Sequence, residues 1–304
     1  MHYLIIFFVT IMGSSCNLVQ LQKRYVERNV RQVGLQSQEI RLGEDTIRYW
    51  KGGKGPTLLL LHGFGADGTV AWESQILELA KHFHLIVPDL LWFGGSYSLK
   101  ADFSVEHQAR AIKNLLEHLQ IQKTDVMGIS YGGLVAMLLL AESPEQVGRA
   151  IFVASPGPVY NPQDYEELLE RFQAKNPAEI ILPRTHSGLK RLLDIAYRNP
   201  PWVPFFVQKD LIEYVQDNPE GQRTALLEDL VSNFTRVRHR LQIHPKHVLI
   251  VWGSDDTIFP LKIGKRLKDY FGAEAQLQVI EGARHAPNIE FNVEFNHIVL
   301  GFLK

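Results

Sequence analysis

Short apolar runs recur along the chain, and several stretches between them carry apolar residues at helical spacing. The runs occupy residues 56–61, 84–89, 124–129, 149–155, 247–252 and 276–280. Continuous apolar runs of this length are typical of strands buried on both faces of a parallel sheet. Between two of them, Ile112, Leu115 and Leu119 form one stripe of a helix that Ser104 begins. Strands that alternate with helices predict an α/β fold with a mostly parallel, doubly wound sheet.

Two more strands precede these runs. Residues 38–42 and 46–50 alternate in polarity around a short polar turn, which predicts a hairpin. The complete sheet is then expected to have about eight strands flanked by helices. We predict that residues 36–157 and 244–304 form this core.

The rhythm of strands stops between residues 158 and 243. Four helical stretches separated by prolines occupy this part of the chain. A helical block inserted between two strands of a sheet is expected to lie over the carboxyl ends of the strands, as a cap or lid. Residues 200–206 are apolar and rich in proline, and they either line a pocket or form the interior of the cap.

The first 35 residues have a different character. Residues 3–12 are apolar but too short to span a bilayer, which takes about 20 residues, and they fit the apolar region of a signal peptide. The small residues before Cys16 resemble a bacterial lipobox, so 1–16 is predicted to be a signal peptide with Cys16 as its lipidation site. An ordinary cleaved signal, or a buried segment with an inert cysteine, is the alternative. The protein is expected in the cell envelope, anchored by lipid, or else secreted, and 17–35 would be a tether or a short surface helix.

Composition narrows the classes of function. The 304 residues are 45% hydrophobic and have a net charge of −1, which indicates a globular protein without the basic surface that nucleic acid requires. A single cysteine excludes an internal disulfide. No group of histidines and cysteines has the spacing of metal ligands, so we expect neither a metal nor a cofactor.

The chemistry of the sequence centres on the segment Gly128-Ile129-Ser130-Tyr131-Gly132, which follows an apolar strand and precedes a helix. A strand that turns directly into a helix holds its apex residue in a strained conformation, and only small residues fit two positions before and after it. This is the G-x-S-x-G pattern of a nucleophile elbow. Ser130 is therefore the predicted nucleophile, supported by Gly128 and Gly132.

A second glycine-containing loop, His62-Gly63-Phe64-Gly65, ends another predicted strand. The backbone N–H groups of Phe64 and of Tyr131, the residue after the nucleophile, are predicted to form an oxyanion hole, with His62, Gly63 and Gly65 supporting the loop. The alternative is a simple turn between a strand and a helix with a structural histidine.

An acid and a base are expected at later strand ends. Asp255 and Asp256 both follow the strand 247–252, and the spacing to Pro260 favours Asp256 as the acid, although either carboxylate could instead cap the next helix. His285 lies in the loop after the last strand and is the predicted base, whereas His107 and His118 are predicted to be surface or capping residues.

Together these motifs make residues 34–304 resemble the α/β-hydrolase fold family, in which serine, acid and histidine follow in this order. The matching segments are 62–65, 88–89, 93–96, 128–133, 252–260 and 282–290. Segments 192–193, 199–204 and 211–214 are similar to the cap of bacterial lipases and monoacylglycerol-lipase-like hydrolases. This resemblance implies hydrolysis of carboxylic esters, with a small ester or a lipid as substrate. A hydrolase of C–C bonds with the same triad, or a ligand-binding protein of this fold, is the alternative.

Overall fold

A computed structural model describes residues 18–216, 221–241 and 247–304. The predicted signal peptide and Cys16 lie outside these residues. Among the residues described, no helix combines the length and the apolar character that crossing a bilayer requires.

The described strands form one mixed sheet. They are β1 (Gln36–Leu42), β2 (Asp45–Gly53), β3 (Thr57–Leu61), β4 (His84–Pro88), β5 (Tyr97–Ser98), β6 (Thr124–Ile129), β7 (Val147–Val153), β8 (Val248–Gly253) and β9 (Ala275–Ile280). Their order is β1-β2-β4-β3-β6-β7-β8-β9, and β5 pairs with β2. In the part of the sheet with the order β4-β3-β6-β7-β8-β9, neighbouring strands run parallel, whereas β1 and β2 form the predicted antiparallel hairpin. The predicted α/β-hydrolase fold, with its mostly parallel sheet, is confirmed.

Helices cover both faces of this sheet. They are α1 (Leu18–Gln32), α2 (Gly68–Leu79), α3 (Val105–His118), α4 (Tyr131–Glu142), α5 (Pro162–Phe172), α6 (Ala178–Ile181), α7 (His186–Ala196), α8 (Phe205–Val215), α9 (Gln222–Arg240), α10 (Leu261–Phe271), α11 (Pro287–Glu290) and α12 (Asn292–Leu303). In β3, Leu59 and Leu61 face the core layer under α3, α4 and α10, whereas Leu58 and Leu60 face the layer under α2 and α12. Burial on both faces explains why the strand reads as a continuous apolar run.

Residues 17–35 contain α1, so the described part of this region is a helix rather than an extended tether. Val26 and Val30 are buried, and Val30 belongs to the core layer under α2. The opposite face of α1 is exposed and carries Leu21 and Tyr25. The amphipathic character of the helix follows from this division.

Helices α5–α9 are inserted between β7 and β8, where the sequence predicts a helical block. We call them the cap. A small apolar cluster joins Leu168, Ile180 and Ile195 of the cap to Ile258 in the loop after β8. Contrary to the prediction that residues 200–206 would line a pocket or form the cap interior, Trp202, Phe205 and Phe206 are 78%, 72% and 71% exposed.

Candidate active site

Ser130 stands at a sharp turn between β6 and α4. Its backbone angles are φ 52° and ψ −118°, a strained conformation for a residue with a side chain. The turn is tight because the glycines on both sides touch other backbone atoms. A Cβ on Gly128 would lie 2.4 Å from the carbonyl oxygen of Gly132. The predicted elbow geometry is therefore present, and Ser130 remains partly exposed.

Replacing Gly132 with alanine is expected to destabilise the protein by about 1–3 kcal/mol, the usual cost of overpacking. The added Cβ would lie 2.3 Å from the carbonyl oxygens of both Leu61 and His62, and backbone cannot yield as a flexible side chain does. The matched control is Gly301→Ala in α12, where a Cβ meets nothing within 4 Å. That change should instead stabilise by about 0.5–1 kcal/mol. Urea unfolding measures both, and equal effects of the two substitutions would contradict the tight elbow.

The loops that carry the candidate residues leave the same edge of the sheet. Strands β3, β6, β7, β8 and β9 are parallel, so their carboxyl ends lie together. His62 follows β3, Ser130 follows β6, Asp256 follows β8 and His285 follows β9. Parallel topology thus collects residues that are up to 223 positions apart in sequence at one site.

Asp256 and His285 are in direct contact. The His285 Nδ1 and Asp256 Oδ2 atoms are 2.8 Å apart, and the carboxylate is fully buried. The other oxygen, Oδ1, accepts hydrogen bonds from the amides of Ile258 and Phe259 at 2.8 and 2.9 Å. These bonds fix the carboxylate plane and leave Oδ2 for the histidine.

The neighbouring carboxylate, Asp255, is exposed and accepts a hydrogen bond from Ser254 Oγ. It does not contact His285 in the described hydrogen bonds. Helix α10 begins after Pro260 and has no side-chain cap, so neither carboxylate serves as the predicted alternative cap. Of the two carboxylates, Asp256 is the one that contacts His285 in the described residues, and its role as the acid stays a prediction.

His285 is also connected to the cap. Its amide donates to the carbonyl of Ile195, and the amide of Ala286 donates to the carbonyl of Ala196. Glu290 accepts hydrogen bonds from the amides of Arg198 and Asn199 at 2.6 and 2.8 Å. The end of α7 therefore holds the histidine loop in place. Among the described residues, no hydrogen bond joins Ser130 Oγ to His285.

The loop after β3 lies against the elbow. A Cβ on Gly63 would be 3.3 Å from the Cβ of Ser130, and the rings of Phe64 and Tyr131 meet edge to face at 5.2 Å. Tyr131 is the first residue of α4, so its amide has no partner within the helix. In the described residues, the amides of Phe64 and Tyr131 donate to no backbone carbonyl or side chain outside regular elements. Both are suitable donors to a developing oxyanion.

His62 has a structural position under this loop. Its Nδ1 lies 2.7 Å from the Gly63 carbonyl, and its Nε2 accepts a hydrogen bond from the amide of Leu90 at 2.9 Å. Because Nε2 accepts, the ring is neutral, and the proton on Nδ1 is donated to Gly63. Burial lowers the pKa of His62 to about 4. The sequence left open a structural histidine or an oxyanion loop, and the geometry is compatible with both at once.

This buried histidine predicts a component of acid sensitivity. The folded His62 has a pKa of about 4 against an ordinary 6.5, so the unfolded chain takes up a proton first as the pH falls. The His62 contribution to stability should decline by about 3 kcal/mol between pH 6.5 and pH 4. Buried Asp89, whose pKa is raised to about 6, acts in the opposite direction over pH 6 to 4.

The comparison that isolates His62 is therefore wild type against His62→Gln, since both retain Asp89. Glutamine can place an oxygen near the position of Nε2 but does not titrate. Urea unfolding at pH 7 and pH 4 should show the stability gap between the two proteins narrowing as the pH falls. A gap that is constant across this range would show that His62 is not held neutral by the fold.

Two groups of residues near the site were not predicted from the sequence. Asp67 caps α2, pairs with Lys23 of α1 at 2.7 Å, and accepts a hydrogen bond from Tyr214 of the cap at 3.3 Å. Arg223 of the cap donates to the carbonyl of Trp92 and lies over the ring of Phe93 at 4.9 Å. Both groups connect the cap to the loops around the elbow.

One histidine expectation needs correction. His107, predicted to be a surface or capping residue, is buried, and its Nε2 contacts Asp45 Oδ1 at 3.0 Å. It lies at the start of α3, and its ring meets Trp92 edge to face. A charged partner from β2, far away in sequence, makes this burial tolerable. His118 is exposed, as expected.

Comparison with known proteins places these features in context. Lipase 3 of Moraxella sp. (strain TA144) is 26% identical over 241 residues, which are 78% of this chain and 73% of that protein. The 2-hydroxymuconate semialdehyde hydrolase of Pseudomonas sp. (strain CF600) is 29% identical over 264 residues, 83% of this chain and 88% of that one. A crystal structure of a membrane phospholipase A has a TM-score of 0.76 at 26% identity and covers 94% of this chain and 90% of its own.

The family model of the alpha/beta hydrolase fold matches residues 56–291, from β3 through α11, and so includes the elbow, the cap and the histidine loop. This match covers well over half of the chain. Sequence, sheet topology and relatives therefore agree that the chain belongs to the α/β-hydrolase fold family, and that it is a hydrolase with lipase-like relatives.

Proposed function

We propose that the protein is a serine hydrolase that cleaves carboxylic esters, of the acylglycerol type or other acyl esters, through an acyl-enzyme. The observation that carries this proposal is the contact between buried Asp256 and His285 at the sheet edge where Ser130 occupies a strained elbow. The relatives named as a lipase and a phospholipase support the ester assignment.

In the proposed mechanism, Ser130 Oγ attacks the ester carbonyl while His285 Nε2 accepts its proton. Asp256 keeps the proton of the free imidazole on Nδ1 and stabilises the imidazolium that forms. The amides of Phe64 and Tyr131 donate to the oxyanion of the tetrahedral intermediate. His285 then protonates the leaving alcohol, and a water molecule releases the acid by the same steps.

A C–C bond hydrolase is the second candidate, favoured by the similarity to the semialdehyde hydrolase of Pseudomonas. The same serine, histidine and acid would serve this reaction, so the site geometry alone supports both candidates. The difference would lie in the pocket and in which bond of the substrate is presented to the site.

The experiment that separates these candidates measures acid release from p-nitrophenyl esters of increasing acyl length and from monoacylglycerols, beside cleavage of a vinylogous diketone. Turnover of the esters alone supports the proposal, and the length profile reports the acyl pocket. Turnover of the diketone alone would replace it with C–C hydrolysis. Saturable ligand binding without any turnover would indicate a binding protein of this fold.

We also propose that the protein is exported and anchored in the cell envelope through lipid on Cys16, with secretion as the alternative. The support is the apolar run 3–12 followed by small residues and the only cysteine of the chain. Metabolic labelling with a radioactive fatty acid in a bacterial host should mark wild type but not Cys16→Ser. Absence of label from both would leave secretion as the favoured account.

A further inference from the structure

Three large aromatic side chains stand exposed within five residues of the cap. Trp202, Phe205 and Phe206 are 78%, 72% and 71% exposed, and they lie at the start of α8 and in the loop before it. Aromatic side chains normally supply much of the buried area in a core or an interface. A cluster of three in solvent indicates a surface that is covered by something else.

The charge of the surrounding segment indicates what covers it. Residues 183–213 contain five basic and three acidic residues, although the whole chain has a net charge of −1. Arg184, Arg198 and Lys209 in this segment are exposed. Two of the acidic residues lie near lysines of the same segment: Asp194 is 2.6 Å from Lys190, and Glu213 is 3.8 Å from Lys209. Exposed aromatic rings in a segment with an excess of cations match the interface of a bilayer with anionic headgroups.

Helix α1 adds a second observation of the same kind. Its exposed face carries Leu21, Tyr25, Arg24 and Arg28, and it has no exposed acid because Glu27 is partly buried in a contact with Arg48. Helix α1 lies beside α8, where Lys23 Nζ is 6.0 Å from the ring of Tyr214.

We propose that the exposed aromatics of the cap, Trp202, Phe205 and Phe206, dock the protein on an anionic lipid bilayer, with exposed basic residues of the same segment and of α1 contacting the headgroups. The cap would then face the lipid while the sheet stays in water. This docking goes beyond the proposed ester hydrolysis and does not depend on it.

The chain contains its own reporter for this proposal. Of its five tryptophans, Trp50, Trp72, Trp92 and Trp252 are at most 4% exposed, whereas Trp202 is 78% exposed. A change of fluorescence on adding lipid therefore reports mainly Trp202. The experiments with vesicles use the full chain carrying Ser130→Ala, so that lipid is not consumed if the protein is a lipase.

Vesicles of phosphatidylcholine mixed with phosphatidylglycerol should shift the emission of Trp202 to the blue, and brominated acyl chains should quench it. Trp202→Phe should remove both signals. Vesicles of phosphatidylcholine alone should bind at least severalfold more weakly, and added salt should reduce binding to the anionic vesicles. An unshifted and unquenched spectrum with anionic vesicles overturns the proposal.

Sedimentation with vesicles gives a readout that does not use tryptophan. The double variant Phe205→Ser, Phe206→Ser should bind anionic vesicles at least tenfold more weakly than its parent. The matched control is Leu99→Ser with Val293→Ser, two apolar residues outside the cap that are 65% and 81% exposed. All these proteins share residues 1–17, so that segment contributes equally. Equal losses in both variants, or none in either, contradict docking by the cap.

Two further measurements separate lipid docking from the ester assignment and from self-association. In a background with Ser130 intact, the cap variant should hydrolyse a soluble p-nitrophenyl ester as fast as wild type, so failure of docking and failure of the ester assignment are seen independently. Sedimentation velocity without lipid tests the other occupant of the patch, a second copy of the chain. A dimer that the cap variant converts to monomer, with vesicle binding unchanged, overturns the proposal in favour of self-association.

Discussion

Ser130→Ala is expected to lower kcat for ester hydrolysis by about 10⁴–10⁶-fold, because the acyl-enzyme can no longer form. The loss should appear in kcat more than in KM, since the pocket and the oxyanion donors remain. The residual rate should come from the Phe64 and Tyr131 amides acting on water attack. Steady-state kinetics on a p-nitrophenyl ester, with active-site titration of the wild type, measure the effect.

A matched control lies on the neighbouring strand. Ser155 is buried at the end of β7, and its hydroxyl has no hydrogen-bond partner in the described residues. Ser155→Ala removes the same atom at the same edge of the sheet and should change kcat by less than about threefold, in line with small effects away from special sites. Loss of activity in both variants, or survival in Ser130→Ala, would remove Ser130 from the role of nucleophile.

Asp256→Asn is expected to lower kcat by about 10⁴-fold with little change in KM. The amide cannot stabilise an imidazolium, and a nitrogen facing His285 Nδ1 would favour the tautomer in which Nε2 carries the proton and cannot accept one from Ser130. Because Oδ1 can still accept from Ile258 and Phe259, the turn should remain folded.

Asp255→Asn provides the comparison at the adjacent position. That carboxylate is exposed and, within the described part of the chain, its one side-chain hydrogen bond is with Ser254, so its conversion to an amide should leave kcat within about twofold of wild type, as expected of a surface site. Kinetics of the two variants, with circular dichroism to confirm folding, decide the assignment. A larger loss in Asp255→Asn than in Asp256→Asn would reverse it.

Much of the fold and the candidate site could be predicted because the signals are local. Strand β3 reads as a continuous apolar run since both of its faces are covered, and the elbow reads as small residues around Ser130 since its turn is tight. Asp256 and His285 could be located because each follows a strand of a parallel sheet, and topology then brings such residues together. The apolar run and the elbow motif each depend only on a few residues that are neighbours in the sequence.

What could not be predicted depends on partners that are distant in sequence. Tyr214 and Asp67 are 147 residues apart, and His107 and Asp45 are 62 apart. No local pattern signals that these side chains meet. The exposure of Trp202 and Phe205 could not be predicted either. The sequence of apolar residues beside prolines does not show whether their side chains point inward or into solvent.

The hydrogen bonds between the end of α7 and the histidine loop also limit which other caps could replace this one. An insertion between β7 and β8 could be exchanged between relatives without altering the sheet. An exchanged cap would still have to present two carbonyls to the amides of His285 and Ala286, and two amides to Glu290. We expect a chimaera that lacks these four backbone groups to fold. Its His285, the proposed general base, would no longer be held in position. Recombination at this junction is therefore constrained by backbone geometry rather than by side-chain identity.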